Sequence, residues 1–168
     1  MFRVGASFSG HLETRAELAH ARAFFDEPRT FIDLMPNVQE IVVNADGTRR
    51  WLIQAEVPWL GRMSMGFKVR RVEDEECLIE WVPVIGEQRN LLRYALAFER
   101  KGGRTSVRIV QQIELRRARA SELHRLAGVL GADRISAEMQ SRLREIMGTF
   151  LRRARERLDR ADVALHGP

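Results

Sequence analysis

Cysteine is almost missing from this chain: Cys77 stands alone, which excludes an internal disulfide and any cysteine-based metal centre. Lysine is nearly as scarce. Lys68 and Lys101 are the only two among 28 basic residues, so every other cation is arginine, the better bidentate partner for phosphate or carboxylate. No apolar run approaches the roughly 18 residues that span a bilayer, and Met1–Glu13 has neither a long apolar stretch nor a cleavage site of the secretory kind. A cytoplasmic location is the expectation. His11, His20, His124 and His166 have no partners at metal-ligand spacing. Lys101-Gly102-Gly103 falls at a hairpin turn rather than between strand and helix, so it is no phosphate loop. The acidic stretch Glu73–Glu76 lacks the spacing of a calcium loop. Repeats and low-complexity linkers are absent too. No cofactor and no metal are expected.

What is present fits one domain, residues 1–168, with an ordered core from about 2 to 163. At 45% hydrophobic and 30% charged, the chain can bury a real core. Its charge is uneven. Residues 1–115 carry 16 basic and 16 acidic side chains, while residues 116–168 carry 12 and 7, so the whole net +5 lies in the C-terminal part.

Hydrophobic alternation begins at once, with Phe2, Val4, Ala6 and Phe8 on one face of a strand over Phe2–Gly10. Thr14–Phe25 then shifts to helical spacing, and Pro28 opens a second short helix that stops before Pro36-Asn37. Six strands follow: Val38–Asn44, Thr48–Val57, Arg62–Glu73, Cys77–Val84, Leu91–Arg100 and Thr105–Arg117. Alternation is clearest for Trp51, Ile53, Ala55 and Val57, for Met63, Met65, Phe67 and Val69, for Leu92, Tyr94, Leu96 and Phe98, and for Val107, Ile109, Ile113 and Leu115. Short connections make this an antiparallel meander. Alternate turns of a meander share an end. One set, Asn44–Gly47, Glu73–Glu76 and Lys101–Arg104, is polar or glycine-rich. The other, Pro58–Gly61 and Pro83–Gly86, displays Trp59, Leu60, Val84 and Ile85, which predicts a pocket mouth, a partner or a covering segment.

Ala120–Gly131 reads as that cover, a short helix capped by Ser121 with Leu123, Leu126, Ala127 and Leu130 inward, lying as a lid over Trp59, Leu60 or Ile85. A long helix capped by Asp133 then runs to about Val163, with Ile135, Met139, Leu143, Ile146, Met147, Phe150, Leu151, Ala154 and Leu158 stepping by three and four. Gly148 interrupts it at a cost of about 1 kcal/mol and is expected to mark close packing or added cavity volume. Leu165–Pro168 is expected to fray.

Strand, two short helices, six strands and a long C-terminal helix: this order resembles the helix-grip fold of the START-like (SRPBCC, Bet v 1-like) superfamily. The stretch Asp26-Glu27-Pro28-Arg29 through Phe31-Ile32-Asp33-Leu34-Met35-Pro36-Asn37-Val38 is similar to its polyketide-cyclase/lipid-transport and carbon-monoxide-dehydrogenase-related members. The resemblance implies an α+β fold in which a curved seven-stranded antiparallel sheet wraps the long helix, with a hydrophobic small molecule or lipid held between them. Some members are cyclases, dehydratases or hydrolases. The separate segment Ala120–Gly131 departs from the simplest pattern, in which the last strand leads almost directly into the helix.

The candidate ligand-binding residues are the inward ones: Trp51, Met65, Phe67, Trp81, Tyr94, Phe98, Gln111, Met139, Leu143 and Met147. Tyr94 and Gln111 bring polar groups into apolar rows and need partners, from the ligand or from the protein; the methionines can adapt to an irregular guest. No residues are assigned to catalysis. Three functions compete. A binding module for a hydrophobic ligand or lipid comes first. A cyclase or dehydratase would need an acid–base pair, for which the row offers only Tyr94 with Gln111. An interaction protein would use Arg152, Arg153, Arg155, Arg157 and Arg160 on nucleic acid, an anionic membrane or an acidic protein, although Glu156, Asp159 and Asp162 dilute that charge. A homodimer would bury the same apolar turns.

Overall fold

The computed structural model describes residues 1–167. β1 (Phe2–Thr14), α1 (Leu18–Asp26) and α2 (Pro28–Leu34) come first. β2 (Val38–Val43), β3 (Arg49–Val57), β4 (Gly61–Glu75), β5 (Leu78–Pro83), β6 (Asn90–Lys101) and β7 (Arg104–Arg117) form the meander. A one-turn 3-10 helix (Ala120–Glu122) and α3 (Ala127–Leu130) lead into α4 (Ala132–His166). All pairings are antiparallel, in the order β1-β7-β6-β5-β4-β3-β2. This is the expected α+β helix grip: one seven-stranded curved sheet around one long helix. Although α4 has 35 residues, no described helix is long and apolar enough to cross a membrane.

Alternation explains the layers. Trp51, Phe67, Tyr94, Phe98 and Ile109 bury their side chains on the inward face, and α4 answers with Ile135, Leu143, Met147, Phe150 and Leu158 at helical spacing. Phe31 of α2 stacks on Phe150 with ring centroids 5.2 Å apart and meets Trp51 edge-on at 5.1 Å. One aromatic centre therefore joins α2, α4 and the sheet, each buried ring contributing about 2–3 kcal/mol.

As an edge strand, β1 would leave a row of backbone groups unpaired. α4 supplies the partners. The Gln140 side chain exchanges two hydrogen bonds with the Ser7 backbone, at 3.0 and 2.7 Å. The Ser136 hydroxyl accepts from Gly5 N–H at 3.2 Å, and Asp159 accepts from the Thr14 hydroxyl at 2.7 Å and Arg15 N–H at 3.0 Å. A side chain at Gly10 would strike the Phe8 ring, 2.6 Å from its Cβ position, so glycine there permits the close pass.

Several local expectations need correction. β1 continues to Thr14, opposite Thr105, and α1 begins only at Leu18. The reason is that Thr14 and Thr105 tie the intervening turn: Ala16 N–H donates to Thr14 Oγ1 at 3.2 Å and its carbonyl accepts from Thr105 Oγ1 at 2.7 Å. Ala120–Gly131 is not one helix but two single turns, and Leu126 faces solvent at 46% exposure. Ser121 lies inside the first of these turns, whose N-cap is Arg119, and no side chain caps it. Neither does Asp133 cap α4, whose N-cap is Gly131 at φ 80°, a left-handed position that glycine adopts without strain. Gly148 is exposed, and a Cβ placed there would have nothing within 4 Å, so it marks neither tight packing nor a cavity. α4 runs to His166, past Val163; of the expected frayed tail, Pro168 lies outside the described residues.

Candidate functional site

Where β3 turns into β4, sheet and helix part to leave a cavity of about 70 Å³. Ile53, Ala55 and Val57 of β3 and Met63, Met65 and Phe67 of β4 form one wall; Ile135, Met139, Leu143 and Ile146 of α4 form the other. Leu60, Leu123, Ala6, Ile113 and Leu115 close the ends, and Asn37, Glu56, Glu138 and Arg142 are the polar members. Such a volume has room for a few waters, but it is about half of the roughly 150 Å³ that takes up benzene. A larger guest therefore requires the walls to move. Met63, Met65 and Met139 are only partly buried, unbranched and able to rearrange.

The Val57–Gly61 turn is built to separate two neighbours. Leu60 points inward at 6% exposure, while Trp59 remains 58% exposed. Trp59 has φ 67°, a left-handed conformation that costs a bulky residue about 1–3 kcal/mol. The Arg134 guanidinium, 4.4 Å over the Trp59 ring, holds this arrangement from the first turn of α4. Leu123 reaches the cavity from the cover segment, but Ile85 is 88% exposed, so the expected lid does not extend over it.

Among the polar wall groups, Glu138 pairs with Arg142 at 3.2 Å and Glu56 with Arg62 at 3.4 Å. Asn37 differs. Its backbone carbonyl accepts from Gln54 N–H at 2.8 Å, yet its side-chain Oδ1 is buried without a hydrogen-bond partner.

The opposite end of the inward face is charged. Arg49 is 7% exposed and donates through Nη2 to the Asp26 carbonyl at 2.8 Å and to its carboxylate at 3.2 Å. Arg71 bonds the same carboxylate and reaches Asp74 at 2.8 Å, and Arg22 bonds Asp74 in turn. Both Arg49 and Arg71 lie over the Trp81 ring, at 4.3 and 4.8 Å. Between the two ends sits Tyr94. Burial pushes its phenol well above the ordinary value, against the opposing charge of Arg49. The guanidinium lies beside the hydroxyl without reaching hydrogen-bond geometry, so the hydroxyl has no partner among the described residues.

The structure brings Met65, Phe67, Met139 and Leu143 together on the cavity. It places Trp51, Trp81, Tyr94, Phe98, Gln111 and Met147 in the packed interior, all at 5% exposure or less and none on the cavity wall. Gln111 does stand directly opposite Tyr94 in the β6–β7 register. Sequence reasoning misses Asn37, Leu60, Leu123 and Ile135 as cavity residues. For Leu60 a signal exists in its apolar turn; for Asn37 there is none beyond a position after a helix-stopping proline.

No family model matches the chain, and no curated protein matches it. Solved structures do. The ZhuI aromatase/cyclase from Streptomyces sp. R1128 superposes with a TM-score of 0.71 at 14% identity, covering 98% of this chain and 99% of that one. The di-domain ARO/CYC StfQ from the steffimycin biosynthetic pathway gives 0.64 at 13% identity over 96% of this chain but 52% of its own, so the chain spans about half that protein. A START superfamily protein from Mycobacterium smegmatis gives 0.50 at 14% identity, covering 83% and 97%. Likenesses at these identities establish architecture alone, and the architecture they share with this chain is a helix grip, one antiparallel sheet around a long helix.

Proposed function

We propose that this protein binds a hydrophobic small molecule or lipid chain in the cavity between β3, β4, β7 and α4. The observation that carries the reading is a methionine-rich, methyl-lined cavity under a strained turn whose Leu60 forms part of the wall. Apolar walls provide the driving force and adaptable side chains provide the volume. Superposition on proteins described as aromatase/cyclases keeps a cyclase or dehydratase as the second reading. That reading would have to take its titratable group from Glu56 or Glu138 at the cavity wall, because Tyr94 and Gln111 lie away from it. Use of the basic helix on nucleic acid or an anionic membrane has weaker support. Arg152, Arg155 and Arg157 face carboxylates at 3.5, 3.8 and 3.5 Å, while Arg153 and Arg160 donate to backbone carbonyls.

Thermal denaturation against a panel of fatty acids, sterols and aromatic polyketides tests the proposal. A ligand bound only to the folded state raises the midpoint, by an amount that grows with the logarithm of its concentration over Kd once that ratio is large. At least one class should do so, and Ala55→Leu, which grows a side chain into the cavity, should cancel the rise. No shift with any class, or an equal shift in Ala55→Leu, would defeat the proposal.

A further inference from the structure

Of the polar groups on the cavity wall, only Asn37 has a buried atom with nothing to bond. Glu56, Glu138 and Arg142 are each engaged in an ion pair, whereas Asn37 Oδ1 is buried and unpartnered among the described residues. We infer that the ligand of this cavity is a neutral apolar molecule bearing a hydroxyl group, which hydrogen-bonds the Asn37 side chain. The inference rests on the cavity being the ligand site, and it adds the chemical class of what enters.

The amide is held in place by its surroundings. Asn37 lies between Pro36 and the first residue of β2, its own carbonyl is bonded to Gln54 N–H at 2.8 Å, and the Val38 N–H is bonded to the Met35 carbonyl at 3.3 Å. This short tether fixes where the side chain emerges, at the end of the cavity that also carries Glu56 and Arg142. In the unliganded fold that oxygen has essentially no contact with water, so it enters binding already desolvated. A guest that parts the walls reaches it. If the guest brings no hydrogen-bonding group, the amide is left desolvated and unpaired, a cost that sites of this type turn into discrimination.

Hydroxyl is the group that fits. An acceptor-only group such as an ether cannot satisfy a carbonyl oxygen, and an anion would repel it. An ammonium would have to give up hydration in a methyl-lined space whose nearest carboxylates already hold arginines. A hydroxyl both donates and accepts, so it serves the amide whether oxygen or nitrogen faces inward. The geometry thus selects guests with an apolar body and one hydroxyl near the start of β2.

Equilibrium dialysis of the intact chain against 2-naphthol and 2-methylnaphthalene isolates this contact, because the two differ by hydroxyl against methyl at nearly constant shape. Wild-type protein should hold 2-naphthol at least tenfold more tightly. Asn37→Leu, similar in volume and without the amide, should reverse the order and prefer the methyl compound. Equal affinities in the wild type, or a naphthol preference that survives in Asn37→Leu, would overturn the hydroxyl assignment and leave the cavity as a general apolar site. Failure of the wild type to bind either compound would instead overturn the cavity reading underneath it. Should Asn37→Leu not fold, the wild-type ratio decides alone: tenfold or more sustains the inference, and a ratio near one removes it.

Discussion

The two ends of the inward face solve opposite problems. At the polar-turn end, Arg49, Asp26, Arg71, Asp74 and Arg22 form a continuous chain of opposite charges over Trp81, so charges that are costly to bury are bonded to one another. At the apolar-turn end, methionines and branched side chains surround a small void rimmed by the Glu138–Arg142 and Glu56–Arg62 pairs, with the Asn37 amide oxygen left unpaired. Polar groups tied to one another favour one geometry, and here the ties run through Arg49 Nη2 alone, its Nε and Nη1 being buried without hydrogen-bond partners among the described residues. Loosely filled apolar space allows several. The contrast assigns rigidity to the first end and adaptability to the second, along the same strands β3 and β4.

The largest effect should come from breaking the charged chain. Asp26→Ala leaves Arg49, 8% exposed in its side chain, without its counter-charge, and should cost about 3 kcal/mol by urea denaturation, as buried pairs do when one partner is removed. A loss below about 1 kcal/mol would mean that this end is not the rigid one. Matched methionines sharpen the comparison further. Met147→Ala, at a fully buried position, should cost about 3 kcal/mol, whereas Met139→Ala on the cavity wall should cost about 1 kcal/mol or less because part of its surroundings is already empty. Similar losses at both positions would erase the distinction.

Smaller still is the change at Gly148, which lies outside both regions. Gly148→Ala should stabilise the protein by about 0.5–1 kcal/mol, since the added methyl meets nothing and helix propensity rises. The last test is electrostatic. The Thr48 hydroxyl and N–H hold the Asp46 carboxyl below its ordinary 3.8, and Arg71, then Arg22, do the same for Asp74. Both aspartates contribute stability that is present above pH 3.8 and lost as pH falls through their lower folded values. Carbon-detected NMR titration should give midpoints below 3.8 for both carboxyls; midpoints at or above it would show that the polar turns are not held by these bonds.

Much of this architecture is legible in the sequence because a half-buried strand must alternate. The phases at residues 51–57, 63–69, 92–98 and 107–115 predict the inward face, and the three-and-four stepping from Ile135 to Leu158 predicts the helix that covers it. Arg49 and Arg71 stand in phase with Trp51 and Val69, so the same pattern places two arginines inside, but alternation does not say which carboxylate meets them. Asp26 does so from a helix junction, a tertiary fact. Ala120–Gly131 misleads for a related reason. Its leucines have helical spacing, yet Leu126 finds no surface to cover, and the segment breaks into two turns. The cavity is harder to anticipate than the core because it depends on where layers part, which no local period encodes; Tyr94 and Gln111 stand out in the sequence for their polarity, and they lie where the layers meet.

One consequence of the strand order concerns time rather than stability. β1 precedes the other six strands of the sheet in the chain, but its neighbour is β7, with Phe2 opposite Arg117, and its outer edge meets Ser136, Gln140 and Asp159 of α4. A nascent chain therefore holds β1 without its partner until β7, Arg104–Arg117, has emerged, and holds it with an open edge until α4 follows. Non-local pairing of this kind places the protein among slow folders for its length. During that interval β1 is the segment most open to pairing with another chain.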